Sequence, residues 1–410
     1  MLAKQKEYAR LLMEMGLNVQ KGQTVLIRTP VEAVAFARLC AEAAYDAGCR
    51  EVLMDFQDDA VTRMYYLRAD SAVFDECPGW LVSKMTGLAE GGMASLGILG
   101  GDPEMLKGVD PDRIRRKSQV TGTAMEAYYS MTMQNAFPWC GAAVPTSAWA
   151  KKVFPGLPED EAIAELWEAI FAAVRVTGDG QAMARWQEHV ATIHGRCERL
   201  NKLAFTSLQY RNSLGTNLSV ALPEKHIWAG GAEMCKAGHM FAPNIPTEEI
   251  FTAPLRGGVN GRVVSSMPFS LYGNVVERFA FTLKDGKIMD VETDRPEDKA
   301  VLQNAISEDE GASYLGEVAL VPYDSPIRKL GILFYNTLFD ENAACHFAFG
   351  RAYASVEGAN EMDQEQLKAH GLNQSITHQD FMIGTQDLCI TGITGDGREI
   401  PVFIDGQFAL

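Results

Sequence analysis

Apolar and polar residues in the first 200 positions follow two alternating patterns. Residues 24–28 form a β-rich run, residues 31–46 repeat apolar positions at helical spacing before Gly48, and residues 51–56 form a second β-rich run. Strand, helix and strand within about 33 residues are typical of a βαβ unit, which favours a parallel sheet covered by helices. The pattern predicts an α/β N-terminal domain with a mostly parallel sheet.

Further elements of both kinds follow in the same region. Residues 94–99 and 141–144 are short apolar runs typical of buried strands. Residues 111–133 and 159–175 have helical periodicity, and Pro158 stands at the start of the second segment. Strands and helices therefore continue to alternate along this half of the chain.

The pattern changes after residue 200. Three β-rich segments alternate apolar and polar residues with a period of two: 216–222, 279–293 and 398–408. Asp285-Gly286 and Asp405-Gly406 are hairpin turn signals within two of them, and helical spacing returns at 297–306. We expect an α/β domain over residues 1–205, followed by an α+β domain rich in antiparallel sheet over residues 206–410.

Composition and charge exclude several classes of protein. Hydrophobic residues make up 47% and charged residues 22%, which is normal for a globular chain. The formal charge is −16, of which −5 lies in residues 1–200 and −11 in residues 201–410. Nucleic acid and anionic membrane surfaces carry the same sign, so neither is an expected partner. The excess carboxylate in the second half forms either a solvated acidic surface or a site for a cation.

Cysteine usage and the N-terminus bear on location. The eight cysteines contain no C-x-x-C pair and match neither a disulfide framework nor a zinc ribbon, so we expect free thiols in a reducing compartment. The first 23 residues carry charges throughout, unlike a signal peptide, and the longest uncharged stretch, 127–150, is too polar to span a membrane. We expect a cytoplasmic protein.

The usual short catalytic motifs are missing. The sequence has neither a dinucleotide-binding G-x-G-x-x-G after a strand nor a phosphate-binding G-x-x-x-x-G-K-[ST]. The G-x-S-x-G of serine hydrolases and the H-E-x-x-H of zinc proteases are missing as well. Any chemistry must therefore come from residues dispersed along the chain.

His378 and Asp380 form the first candidate pair. On an extended strand, residues i and i+2 share one face, so both side chains can point at one spot. An imidazole nitrogen with a carboxylate oxygen is an ordinary ligand pair for zinc, cobalt or manganese. By itself, the pair is also compatible with a surface pair, or with a pair that contacts metal ligands without binding the metal.

His346, Glu317 and Glu249 are polar residues in apolar surroundings. His346 lies in a run of small and apolar residues, with Glu341 five positions before it and Tyr353 seven after. Such a histidine is either a hydrogen-bonded core residue or a ligand. Glu317 stands alone among strand-forming apolar residues, where its charge requires a salt bridge or a metal ion.

The second half thus offers four carboxylates and two imidazoles in apolar settings: Glu249, Glu317, Glu341, His346, His378 and Asp380. This set suits two divalent ions held by oxygen and nitrogen, with at least one bridging carboxylate. Glu249 follows another glutamate, Glu248, and spacing alone does not choose between the two.

Four motifs, in this order, carry a family resemblance: NIPTEEIFTAP (244–254), GEVALV (316–321), DENAACHFAFGRAY (340–353) and NQSITHQDFMIG (373–384). Together they closely resemble the thermophilic-type metalloaminopeptidases of the aminopeptidase T and aminopeptidase S family. The resemblance implies that the six residues above bind two metal ions and that Tyr353 acts at the reaction centre. It also implies a cytoplasmic homodimer that uses zinc or cobalt, with manganese and magnesium as further candidates.

The sequence therefore predicts a metal-dependent aminopeptidase that releases N-terminal residues from peptides. Two ions would activate water and polarise the scissile carbonyl, with Glu317 or Glu249 as the general base. Another two-metal amidohydrolase or phosphoesterase is an alternative, and a phosphoesterase would need basic residues, for which Arg256, Arg262 and Arg351 are the nearby candidates. A non-catalytic protein whose two lobes close on a small ligand is a second alternative.

Overall fold

The computed structural model describes residues 1–271, 274–359 and 362–410. The chain forms two compact units. The first contains Met1–Val190, Ala232–Thr247 and Ile332–Leu338, and the second contains the remaining segments, Ala191–Gly231, Glu248–Gly331 and Phe339–Leu410. The prediction of one domain over residues 1–205 and another over residues 206–410 stays a prediction.

The first unit is built on a four-stranded parallel sheet, as the βαβ pattern predicts. Its strands lie in the order Glu51–Gln57, Thr24–Pro30, Ala94–Leu99 and Trp139–Ala143. The middle residues of the two central strands, Val25–Ile27 and Ala94–Leu96, are buried, as expected where helices pack on both faces of a parallel sheet. The prediction of an α/β fold with a parallel sheet is confirmed.

The described residues up to position 203 contain nine α-helices: Leu2–Leu11, Val34–Asp46, Asp59–Arg68, Gly79–Glu90, Pro111–Ala124, Glu126–Met133, Ser147–Val153, Glu159–Ala173 and Ala182–Leu203. The shorter turns are a π-helical turn at Leu12–Gly16 and 3₁₀ turns at Val31–Ala33 and Ser71–Asp75. The predicted helix at 111–133 is interrupted at Met125, whose backbone leaves the helical region. The predicted helix at 159–175 is confirmed as Glu159–Ala173.

The second unit contains an eight-stranded antiparallel sheet. Its strands lie in the order Lys287–Thr293, Phe279–Lys284, Val259–Val264, Asn217–Ala221, Phe205–Arg211, Cys389–Thr394, Glu399–Ile404 and Gln407–Phe408. Both predicted hairpins are present. Asp285, Gly286, Asp405 and Gly406 all have positive φ, as a type I′ turn requires at its two central residues.

Shorter elements complete the two units. Glu233–Met234 pairs with Met240–Phe241 in the first unit, and Phe269–Leu271 pairs with Asn274–Val276 in the second. Further helices are Pro296–Ala305, which confirms the helix predicted at 297–306, then Pro326–Lys329, Thr337–Asp340 and Gln364–Ala369. Short 3₁₀ turns span Gly311–Ser313 and Glu341–Ala343.

A second, four-stranded antiparallel sheet carries most of the candidate residues. Its strands lie in the order His378–Met382, His346–Gly350, Leu315–Leu320 and Ile250–Thr252. One face packs into the hydrophobic core of the unit through six side chains: Ile250, Val318, Leu320, Phe347, Phe349 and Phe381. Because side chains alternate along a strand, the residues between them share the opposite face. We call that opposite face the site face.

The sequence also predicted that the chain has no membrane span. Within the three described ranges, no helix combines the length and the apolar character needed to cross a membrane. All eight cysteines are free thiols, as expected, and six of them are buried.

Candidate metal centre

The register of the four-stranded sheet brings candidates from two strands, Asp380 and Glu317, to either side of Ala348 on the strand between them. Asp380 lies opposite Ala348, and Ala348 lies opposite Glu317. His378 lies opposite Gly350, one step further along the same strands. Directly opposed residues on antiparallel strands share a face and their Cβ atoms lie about 4.5–5.5 Å apart. The small residues Ala348 and Gly350 leave room for the charged side chains beside them.

Five candidate residues meet on the site face and form what we call the carboxylate–histidine cluster: Glu249, Glu317, His346, His378 and Asp380. They make two overlapping groups. In the first, one ligand atom each from Glu249, Glu317 and His346 lies within 4.8 Å of the others, and in the second the same holds for Glu317, His378 and Asp380. Glu317 belongs to both groups.

His346 is held at both ring nitrogens. Its Nδ1 atom lies 3.1 Å from the carbonyl oxygen of Ala344, and its Nε2 atom lies 3.1 Å from Oε2 of Glu249. The carbonyl can only accept, so Nδ1 carries a proton. Nε2 is therefore the nitrogen that faces the carboxylates and is able to bind a metal.

His378 repeats this arrangement on the edge strand. Its Nδ1 atom lies 2.7 Å from the carbonyl oxygen of Arg351, while its Nε2 atom lies 3.0 Å from Oε2 of Glu317 and 3.3 Å from Oδ1 of Asp380. Histidine ligands of metals commonly donate their second N–H to a backbone carbonyl, which fixes the tautomer and the ring orientation. The prediction that His378 and Asp380 point at one spot is confirmed.

The donor set fits a divalent cation. Carboxylate oxygens and imidazole nitrogens suit zinc, cobalt and manganese, and here they converge within ligand-to-ligand distance in a buried setting. The adjacent thiol of Cys345 is not part of the set, because it exchanges hydrogen bonds with the backbone of Val321. The site therefore offers oxygen and nitrogen ligands rather than thiolates.

The raised pKa values of Glu317 and His346 also indicate a site for a cation. Burial raises the pKa of Glu317 to about 7, with the hydrogen bond from His378 opposing and the charge of Asp380 adding to the rise. Burial alone lowers the pKa of His346, but the hydrogen bond and charge of Glu249 outweigh it and raise that pKa to about 10. Without a cation, the cluster would hold protons instead.

Asp380 and His378 behave as an ion pair. Burial opposes the charge of Asp380, yet the charge and hydrogen bond of His378 keep the pKa of Asp380 below its ordinary value. Burial likewise opposes the charge of His378, and Asp380 with Glu317 raises its pKa well above the ordinary value. Positive charge at this position therefore stabilises the carboxylates around it.

Glu341 lies beside the cluster but outside both groups of three. It begins the 3₁₀ turn Glu341–Ala343 and is buried. Burial and the negative charges of Asp380 and Glu249 raise the pKa of Glu341 well above its ordinary value. Its carboxylate is thus within electrostatic reach of the cluster without sharing the close ligand distances.

Tyr353 lies against the cluster through its ring. The ring centroid is 5.2 Å from that of His378, in an edge-on arrangement, and 5.2 Å from that of Phe251. Burial raises the pKa of Tyr353 well above its ordinary value, and the charges of Glu317 and Asp380 add to the rise. The hydroxyl therefore keeps its proton at neutral pH and can donate a hydrogen bond.

Phe251 is a site-face residue that the sequence reasoning did not identify. It lies opposite Ala319 in the sheet and two positions after Glu249, so the period of a strand places both on the site face. That alternation, applied to the segment after Glu249, could have indicated it.

The backbone at Glu249 is held by close packing of the main chain. Ala229 and Phe251 exchange two backbone hydrogen bonds, of 3.0 and 2.9 Å. Gly230 directly follows Ala229, and a Cβ atom at Gly230 would collide with the carbonyl oxygen of Glu249. Glycine at position 230 therefore allows this segment to lie directly against the backbone of Glu249.

The basic residues that a phosphoesterase would need are engaged elsewhere. Arg256 pairs with Glu310 at 2.6 Å and stacks on Tyr314, and Arg262 pairs with Glu292 at 2.9 Å. Arg351 donates through Nε to a backbone carbonyl at 2.7 Å. No specific contact favours phosphate recognition at these three arginines.

Comparison with known proteins decides the family. A family model described as thermophilic metalloprotease (M29) matches residues 2–408. The chain belongs to this metalloprotease family. Aminopeptidase AmpS of Bacillus subtilis (strain 168) is 43% identical over 403 residues, which cover 98% of this chain and 97% of that protein. Aminopeptidase 2 of Geobacillus stearothermophilus is 41% identical over 404 residues, with the same coverage of 98% and 97%.

A solved structure agrees with this assignment. The structure of wild-type AmpT from Thermus thermophilus superposes with a TM-score of 0.91 at 37% identity, covering 99% of both chains. The predicted family and the predicted fold class are therefore confirmed. Membership of a metalloprotease family makes this protein a metallopeptidase, an enzyme that hydrolyses peptide bonds with the help of divalent metal.

Proposed function

We propose that the protein is an aminopeptidase that uses two divalent ions to release N-terminal amino acids from peptides. The observation that carries the proposal is the pair of three-residue groups that share Glu317, since a shared carboxylate is the usual bridge between two ions. Relatives that are similar over nearly the whole chain bear the name aminopeptidase, which supports this choice among metallopeptidases.

We assign six residues as metal ligands in this proposal. Glu249 and His346 would hold one ion, His378 and Asp380 the other, and Glu317 would bridge them. The distances within the carboxylate–histidine cluster support these five. Glu341 is the sixth, supported by its electrostatic coupling to the cluster. We expect zinc or cobalt, with manganese or magnesium as further candidates.

The protein's own groups account for the remaining chemistry. Bound divalent ions supply Lewis acidity, which makes water more acidic and polarises a carbonyl. Either Glu317 or Glu249 would accept the proton that the attacking water loses, in addition to its proposed role as a metal ligand. Tyr353 keeps its hydroxyl proton and donates a hydrogen bond to the oxyanion of the tetrahedral intermediate, an effect typically worth about 10²–10³ in rate.

The same cluster explains a requirement for a free N-terminus. The neutral form of a peptide's α-amine has a lone pair, with which it could act as a further ligand of one of the two proposed divalent ions. An acylated N-terminus is neutral and has no lone pair to offer. We therefore propose strict exopeptidase action on peptides.

Location and assembly complete the proposal. We propose a cytoplasmic homodimer, as the resemblance implies. The eight free thiols support a reducing compartment, because disulfides form readily in oxidising ones. Light scattering of the purified protein at several concentrations tests the dimer directly.

Hydrolysis of leucine and phenylalanine anilides tests the activity. Chelation should abolish hydrolysis, and added Zn²⁺ or Co²⁺ should restore it together with two ions per chain, measured by atomic emission. N-acetylated versions of the same substrates are the matched control and should be cleaved at least about 10²-fold more slowly. Full activity without metal would overturn the two-ion proposal, and equal cleavage of blocked substrates would indicate an amidase or endopeptidase. A protein that contains no metal and hydrolyses none of these substrates would support the binding-protein alternative.

A further inference from the structure

Asn342 is a fully buried polar residue in the turn that carries Glu341. Its Oδ1 atom accepts a hydrogen bond of 2.6 Å from the backbone N–H of Glu248. Its Nδ2 atom donates to Oε1 of Glu341 at 3.4 Å, which is long for a hydrogen bond. One side-chain amide therefore contacts both its chain neighbour Glu341 and the distant residue Glu248, which precedes Glu249. Glu341 and Glu249 are both ligands of the proposed metal centre.

The two contacts need a side chain with both an acceptor and a donor. The backbone N–H of Glu248 can only donate, so it needs an acceptor. The ionised carboxylate of Glu341 can only accept, so it needs a donor. The amide is therefore oriented by its neighbours. Aspartate would supply the acceptor without the donor, and alanine would supply neither.

The contact with Glu248 bears directly on Glu249. The bonded N–H lies one residue before Glu249, so it fixes the backbone from which that side chain departs toward Nε2 of His346, 3.1 Å away. Ala229 and Gly230 hold the following backbone on the other side. The side chain of Asn342 thus joins the segment of Glu249 to the turn that contains Glu341.

We propose that Asn342 is a positioning residue of the metal centre: its amide sets the places of Glu249 and Glu341 relative to each other. The inference rests on the proposed function. Partners that orient metal ligands typically contribute 10–100-fold to metal affinity or activity when they are removed. A merely structural asparagine would instead affect the stability of the fold and leave the affinity for metal unchanged.

Cobalt binding to the full-length protein separates these roles. Asn342→Ala should weaken Co²⁺ binding by about tenfold or more and change the visible absorption spectrum of the cobalt-loaded protein, because the ligands lose their fixed places. Asn201→Ala is the matched control. Its amide also makes one acceptor and one donor bond, to the backbone of Trp228 at 2.8 and 3.1 Å, so it should lower the unfolding temperature while cobalt affinity and spectrum stay as in the wild type.

If Asn342→Ala does not fold, a second variant distinguishes a positioning role of Asn342 from a purely structural one. Asn342→Asp keeps the size of the side chain and the acceptor for Glu248, but it replaces the donor with a carboxylate oxygen that repels Glu341. Its cobalt spectrum should differ from that of the wild type. A folded variant at position 342 with wild-type affinity and spectrum would overturn the inference. A wild-type protein that binds none of cobalt, zinc, manganese and magnesium would instead overturn the proposed function, so the two failures are distinguishable.

Discussion

His346 faces Glu249 through its Nε2 atom at 3.1 Å, while its Nδ1 atom lies 3.1 Å from a backbone carbonyl. His378 has the same division of roles between its two nitrogens. In each ring the backbone fixes one nitrogen, and the other faces carboxylates that require a positive charge between them and the ring. Either a proton or a metal ion supplies that charge. The two compete for the same nitrogen.

This competition predicts that metal binding releases protons. The pKa of His346 lies at about 10 without a cation, so the imidazole is protonated at neutral pH and must lose that proton when Nε2 binds an ion. Because the pKa is raised, affinity for metal should increase as the pH rises toward it. Calorimetric titration with Zn²⁺ at neutral pH, in two buffers of different ionisation enthalpy, measures the release. Equal heats in both buffers would contradict the prediction.

Removal of one ligand should release metal without disturbing the fold. His378→Ala deletes the nitrogen that lies 3.0 Å from Glu317 and 3.3 Å from Asp380, so we expect roughly half of the wild-type metal content after dialysis, because one of the two ions loses a ligand. His370→Ala is the control, since that histidine is exposed at the end of a short helix. Metal per chain is measured by atomic emission. Wild-type metal content in the His378 variant would exclude it as a ligand.

The sequence predicts this site only in part, and the reason is physical. The pairing of His378 with Asp380 follows from the period of a strand, a local property. The proximity of Glu317 to both depends on which strands are neighbours and in which register. Long-range packing of side chains such as Phe347 and Phe381 in the core sets that register, and no local pattern contains it.

The choice between Glu248 and Glu249 shows the same limit. Spacing treats the two alike, and the family resemblance alone selects Glu249. In the structure, Glu249 faces His346, whereas the backbone of Glu248 is bonded to Asn342. The parallel sheet and the two Asp-Gly hairpins, by contrast, were predictable because short-range periodicity and turn chemistry determine them.

Gly350 is predicted to be required at the end of its strand. Its φ is 104°, and a Cβ atom there would collide with the carbonyl oxygen of Thr377, next to His378. Gly350→Ala should therefore destabilise the fold by more than about 3 kcal/mol. Gly397→Ala is the control, since that residue has φ of 81° but nothing within 4 Å of its Cβ position, so it should cost only about 1–2 kcal/mol. Equal denaturation midpoints for the two variants would refute the steric argument.

Tyr353→Phe should separate transition-state stabilisation from metal binding. The hydroxyl keeps its proton because burial and the surrounding carboxylates raise its pKa, so it can donate to a developing oxyanion. The variant keeps the ring and therefore its packing on Phe251 and His378. We expect kcat and kcat/KM to fall together by about 10²-fold, with KM unchanged, because the lost interaction exists only in the transition state.

Metal content and a second tyrosine complete the test of Tyr353. The Tyr353→Phe variant should retain the wild-type number of ions, whereas His378→Ala should not, since only the histidine is a proposed ligand. Tyr129→Phe, at an exposed position in the first unit, controls for the general effect of removing a phenol hydroxyl and should have wild-type kinetics. If Tyr353→Phe turns over anilides at the wild-type rate with its metal bound, the hydroxyl makes no contribution to the transition state. The tyrosine would then act through its ring alone, as packing for His378.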